Sequence, residues 1–198
     1  MESIGNDIGN GKNSWRIFIA IPLPKEMKQK VDSLCRSYRD QLSFRKWVYV
    51  EDYHITVQFL GDTETSRIEQ LKEVLEQALL EHKRFKLEAV GLGTFGRDAQ
   101  PRVLWAGVEG DMSALHGLHQ IIISANTRLG YVAEERPYHP HITMARKYRE
   151  EEKLEKELLN SMNNEASFGS WLVDRIVLYR TNLGKIPMYE EIASIPLK

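Results

Sequence analysis

Apolar and polar positions along this chain fall into short runs and helical stripes that alternate. Arg16-Ile-Phe-Ile-Ala-Ile21 is an apolar run closed by Pro22 and Pro24, which predicts a buried strand rather than a helix. From Lys25 to Tyr38, Met27, Val31, Leu34, Cys35 and Tyr38 recur at helical spacing and predict an amphipathic helix. Extended patterns return at Phe44 to Val48 and at His54 to Leu60, the second expected to stop at Gly61-Asp62. Thr63 to Ser66 offers helix caps, and Ile68, Leu71, Leu75 and Leu79 mark a second helix reaching about Glu81. Two strands, Phe85 to Val90 and Val103 to Val108, read as a hairpin separated by a Gly91 to Gly96 loop and by Pro101. A third helix carries Leu115, Leu118, Ile122 and Ala125, with Gly130 as its C-terminal cap. The rest repeats the theme: a strand His141 to Ala145, a charged helix from about Arg149 to Met162, a strand Trp171 to Tyr179, and a last strand near Tyr189 to Ile195.

Two similar halves predict an α+β fold, bilobal, with two pseudo-symmetric antiparallel-sheet lobes and outer helices around a central cleft. No linker of low complexity divides them, so residues 15–198 are expected to form a single bilobal domain behind a disordered tail, 1–14, rich in Gly and Asn.

Composition narrows the function. Lys+Arg (27) and Asp+Glu (28) nearly cancel, leaving a net charge of −1. A protein that coats many phosphates shows a basic excess, whereas an enzyme gripping one phosphate needs only a few placed cations. The lone Cys35 excludes an intramolecular disulfide and points to the cytoplasm, and no apolar stretch approaches the roughly 18 residues of a membrane span. Nothing demands a multimer, so a monomer is expected.

One pattern occurs twice: His54-Ile55-Thr56-Val57 and His141-Ile142-Thr143-Met144. In a strand, residues i and i+2 share a face, so each copy presents an imidazole and a hydroxyl while Ile turns to the core. If the two strands meet, two imidazoles and two hydroxyls converge on a volume suited to a tetrahedral phosphate. The hydroxyls can donate to non-bridging oxygens, and one neutral and one protonated imidazole can serve as base and acid. A single copy would read as an ordinary strand; the repeat in matching halves favours a site. His139-Pro140-His141 raises a zinc site as a competitor, but neither motif places a carboxylate on the His face and no Cys cluster exists.

These residues resemble the two-histidine (2H) phosphoesterases, and among them the RNA 2′,3′-cyclic phosphodiesterases also called 2′-5′ RNA ligases. The likeness covers Arg16-Ile-Phe-Ile-Ala-Ile-Pro22, Trp47-Val48 with His54-Ile-Thr-Val-Gln-Phe-Leu-Gly61, Pro101-Arg-Val-Leu-Trp-Ala-Gly107, and Pro140-His-Ile-Thr-Met-Ala-Arg146. It implies a bilobal α+β hydrolase that uses no metal or other cofactor and opens 2′,3′-cyclic phosphate on RNA ends or nucleotides to a 2′-phosphate. It also implies reversible 2′-5′ ligation as a side activity.

By that resemblance His54 and His141 are catalytic, Thr56 and Thr143 bind the phosphate, and Arg146 belongs to the site. Strand alternation sets Arg146 on the face opposite His141, so it meets the ligand only through a bend or a long reach. Phe18 and Phe59 are candidates for stacking on a terminal base, with burial in the core as the alternative. Arg102 could touch RNA or end a strand in solvent; His116 and His119 read as a solvent-facing helical pair, and His82 as a helix end. Two further functions stay open: an RNA-end binding module without turnover, and a phosphodiesterase acting on another cyclic nucleotide or a 2′-5′ oligonucleotide.

Overall fold

The computed structural model describes residues 13–149 and 153–198. Most of the expected tail lies outside these; within it, Ser14 already pairs with Glu64 at the start of β1 (Ser14–Pro22). The apolar run forms β1 as predicted, with Ile17, Ile19 and Ile21 fully buried. Helix α1 (Lys25–Tyr38) follows and buries its predicted stripe. Next come β2 (Phe44–Trp47), a 3-10 turn at Val50–Asp52, β3 (His54–Glu64) and, after a second such turn, α2 (Ile68–Leu79). The chain continues with β4 (Phe85–Arg97), β5 (Gln100–Gly110), α3 (Met112–Thr127) and β6 (His141–Tyr148). It closes with α4 (Lys156–Asn164), β7 (Ser167–Val173), β8 (Arg175–Thr181) and β9 (Tyr189–Pro196). Gly130 (φ +86°) ends α3 as expected: its N–H bonds Thr127 O and that of Tyr131 bonds Asn126 O, the Schellman pattern.

Four boundaries differ from the expectation. Gly61 and the Gly91 to Gly96 stretch lie inside strands, because Gly61 (φ +72°), Gly91 (φ +71°) and Gly96 (φ +114°) sit at shifts of the ladder rather than at turns. Trp171 to Tyr179 is two strands, β7 and β8, divided at Asp174. The last helix starts at Lys156; Arg149 precedes it in irregular backbone, and 150–152 lie outside the described residues.

The α+β class and antiparallel pairing hold. The lobes, however, are two parts of one nine-stranded sheet, ordered β7-β4-β5-β6-β3-β1-β8-β9, with β2 added alongside β6. Six strand spacings separate β7 from β8, about 29 Å if flat, yet one residue, Asp174, joins them. The sheet must therefore curl until its ends approach. Lys198 confirms this closure, exchanging backbone bonds with His82 and Arg84 just ahead of β4.

The seam between lobes is the β3–β6 pair, whose ladder is one position, Ile55 opposite Ile142, both fully buried. Buried faces of all four helices join the strands' inner residues in one core. Among the described residues no helix is long and apolar enough to cross a membrane.

Candidate active site

Because Ile55 and Ile142 turn inward, strand alternation puts His54, Thr56, His141 and Thr143 together on the other face. Antiparallel register sets His54 across from Thr143 and Thr56 across from His141. The imidazoles thus occupy a diagonal, a spacing of about 7 to 8 Å between backbone positions. That leaves room for one phosphate between them.

Both rings are held the same way. His54 Nδ1 lies 2.7 Å from Asp52 O, and His141 Nδ1 lies 2.7 Å from His139 O, in each case the carbonyl two residues earlier. A carbonyl only accepts, so Nδ1 carries the proton and Nε2 is left with the lone pair. His54 Nε2 meets Thr56 Oγ1 at 3.1 Å. Burial pushes the His54 pKa down to about 4; the Asp52 carbonyl opposes that, while the charges of Arg146 and Lys28, and the competing titration of His141, add to it. His141 is lowered chiefly by burial, with His139 and Arg146 contributing and the His139 carbonyl opposing. Both rings are therefore neutral at neutral pH with nothing bound.

Each motif is followed by a bulge. Thr56 and Gln58 pair with adjacent residues of β1, and Thr143 and Ala145 with adjacent residues of β5, so each strand gains one residue there. Val57 with Gln58, and Met144 with Ala145, are accordingly buried in succession. The alternation then inverts, returning the fifth residue after each histidine, Phe59 and Arg146, to the cleft face. This corrects the parity expected for Arg146: it stands on the His141 side, and its Nη2 donates to Thr143 Oγ1 at 3.4 Å.

The two candidate aromatics separate. Phe59 is 54% exposed, whereas Phe18 is 2% exposed and packs beneath His54 and Phe59, with centroids 4.9 and 5.9 Å away. Phe18 is thus a floor with no open face for stacking. A cavity of about 380 Å³ opens beside it, lined by Arg16, Phe18, Phe59, Asp62, Thr181 and Tyr189.

Several neighbours of the site escaped the sequence reading. Tyr189 meets His54 edge-on at 5.1 Å, and Tyr179 stacks on Phe18 at 5.4 Å. The carboxylate of Asp52, 7% exposed, accepts the backbone N–H groups of Met188 and Tyr189 at 3.0 Å each, tying β9 to the turn that holds His54. Around His141 stand Phe95, Trp105 and His139, at 4.9, 6.2 and 6.2 Å. The Trp105 indole lies over Gly93, where a Cβ would come within 2.1 Å of the ring. Tyr138 Oη donates to Thr56 O at 3.1 Å across the seam, and its ring stacks on His119 at 4.0 Å. His119 is therefore half-buried rather than solvent-facing, while His116 is exposed. Only strand alternation could have suggested Tyr179 and Trp105; Asp52 and Tyr138 gave no signal. Among the described residues no three His, Cys, Asp or Glu side chains converge on a point able to hold a metal ion.

Known proteins are similar to this chain in sequence and in fold. A profile described as the 2′-5′ RNA ligase superfamily matches residues 23–185. An RNA 2′,3′-cyclic phosphodiesterase of Geobacillus stearothermophilus is 41% identical over 180 residues, 91% of this chain and 56% of its own length. One of Bacillus subtilis is 31% identical over 180 residues, 91% of this chain and 95% of its own. The chain thus spans just over half of the first relative and nearly all of the second. In fold, it is similar to E. coli LigT complexed with 3′-AMP, with a TM-score of 0.74 at 22% identity, over 93% of this chain and 99% of that one. With the paired motifs facing one another across the seam and a profile match spanning both, the chain belongs to the 2′-5′ RNA ligase superfamily.

Proposed function

We propose that this protein hydrolyses 2′,3′-cyclic phosphate at RNA ends to a 2′-phosphate, with His54 and His141 as its acid-base pair. The observation that carries the reading is the Ile55–Ile142 register, which faces two imidazoles, each with its Nδ1 tied to a carbonyl, toward one small space. The names of the Geobacillus and Bacillus relatives support the same substrate.

The phosphate sits between the rings. Thr56 and Thr143 donate to its non-bridging oxygens, and Arg146, beside Thr143, offsets the charge that builds in the transition state. The cavity with Phe59 and Tyr189 opens on the His54 side and takes the nucleoside, with Phe59 as the stacking surface. His54 then stands nearer the departing 3′ oxygen and His141 nearer the in-line water. His141 Nε2 takes a proton from water as its oxygen bonds phosphorus; the bond to the 3′ oxygen breaks, and protonated His54 gives that oxygen its proton. An anionic phosphate favours the imidazolium form of His54, reversing the depression seen in the free protein. With the 5′-hydroxyl of a second strand in place of water, the same ring opening joins two strands: the 5′ oxygen bonds phosphorus as its proton passes to His141, the bond to the 3′ oxygen breaks as that oxygen takes the proton of His54, and a 2′-5′ bond remains. The single interleaved core supports one domain and a monomer, and the unpaired, buried Cys35 supports a reducing, cytoplasmic setting.

Incubation with a 2′,3′-cyclic nucleotide, followed by phosphorus NMR, tests the reading. His54→Ala and His141→Ala should each lower kcat by about 10² to 10⁴-fold while the fold persists by circular dichroism. Full activity in both variants refutes the pair. Binding of the cyclic phosphate by the wild type without ring opening makes the chain an RNA-end binding module.

A further inference from the structure

Beyond the point where β3 leaves β6, β2 takes its place along the same edge. Val48 N bonds Met144 O at 2.9 Å, and Trp47 then pairs with Ala145, Lys46 with Arg146, and Phe44 with Tyr148. Residues directly opposite in an antiparallel pair project to the same side. Lys46 therefore shares the cleft face with Arg146, whose guanidinium reaches Thr143. Two like charges placed directly opposite destabilise a sheet unless something anionic relieves them. Some cations elsewhere find carboxylates, among them Arg16 with Asp62, Lys28 with Glu51 and Lys198 with Glu81; among the described residues the Lys46–Arg146 pair has none beside it. Lys46, exposed, forms no ion pair among the described residues.

The place of this pair matters. Phe59 lies beyond Thr56 on β3, and Arg146 with Lys46 beyond Thr143 on β6; because the strands are antiparallel, they stand at opposite ends of the cleft. A ribose carries its base and its 5′ carbon on either side of the ring oxygen. A nucleotide with its cyclic phosphate between the imidazoles and its base on Phe59 thus sends its 5′ chain toward Lys46. Resting on the phosphodiesterase reading, we propose that Lys46 holds the internucleotide phosphate one step 5′ of the cyclic end, so that the enzyme takes RNA oligonucleotides in preference to mononucleotides.

The test compares kcat/KM for a 2′,3′-cyclic mononucleotide with that for a tetranucleotide of the same 3′ base ending in the same cyclic phosphate. Wild type should favour the tetranucleotide. Lys46→Ala should lower the tetranucleotide value about 10-fold and leave the mononucleotide value within about 2-fold. The slope of log kcat/KM against log salt for the tetranucleotide should shrink by about 0.7, one single-strand phosphate contact. Arg45→Ala removes the same charge from the other face of β2 and should leave the substrate ratio unchanged. Equal losses on both substrates, or the same loss from Arg45→Ala, overturn the proposal in favour of a diffuse field. A wild type that opens neither substrate sinks the phosphodiesterase reading itself, and this position with it.

Discussion

Replacing Asp52 by Asn changes one atom in a buried carboxylate and should weaken both the fold and the site. Its two oxygens accept the N–H groups of Met188 and Tyr189 at 3.0 Å each. Asn keeps one accepting oxygen, so one charge-assisted bond becomes a neutral one, a loss of about 1 kcal/mol. The other oxygen becomes an NH₂ facing a backbone N–H, and a bond to a charged group is replaced by an unsatisfied donor, about 2 kcal/mol more. The expected loss is about 3 kcal/mol, which for a chain of this size lowers Tm by roughly 6 to 12 °C. Tyr189 loses its tether beside His54, so kcat should fall as well, measured on a cyclic nucleotide below the melting transition. Thermal unfolding followed by circular dichroism reads the stability. If Asp52→Asn melts within about 2 °C of wild type, the carboxylate is not holding β9 and the reasoning fails.

Other expectations follow from the same geometry. Since His54 is pushed down to about 4 and His141 is lowered too, a step needing one imidazolium gains as pH falls: kcat/KM should rise as pH drops through the neutral range and fall again toward pH 4, with kcat peaking at higher pH because bound phosphate favours the cation. A kcat/KM flat from about pH 5 to 8 would contradict this. The same depression bears on stability: the unfolded ring binds its proton near pH 6.5 and the folded one near 4, so the His54 contribution is full above about 6.5 and lost as pH falls. Phe59→Ala should raise KM about 5- to 100-fold through lost stacking, with Phe59→Tyr close to wild type; steady-state kinetics decides. Gly93→Ala drives a methyl group into the Trp105 indole, so a loss of about 1 to 3 kcal/mol in urea unfolding and a changed tryptophan emission are expected.

The stripe of α1 was legible to the residue because Met27, Val31, Leu34, Cys35 and Tyr38 all bury against one core and Pro24 precedes its first turn. The His-x-Thr pair was legible because strand alternation is a local rule. Parity beyond each motif was not, since the bulges at Val57 and Met144 leave no mark in residue type; Arg146 was assigned to the wrong face for that reason. Glycine misled twice, because Gly61 and Gly91 suit both a turn and a widened ladder, and only the partner strand decides. Phe18 and Phe59 look alike in an apolar run; the closeness of β8 and β9, which buries one and not the other, is a long-range fact. Asp52 was missed because its partners lie at Met188 and Tyr189, far along the chain.

The single-residue link at Asp174 means that one lobe is not a continuous length of polypeptide: β1 and β3 wait for β8 and β9 to complete their half, after β4 to β7 have formed the other. A partly synthesised chain that already contains both histidines still lacks Tyr179 and Tyr189, and Asp52 has nothing to accept from. Splitting the polypeptide between its halves would not release two working pieces, and the reactive centre matures only when the last hairpin docks.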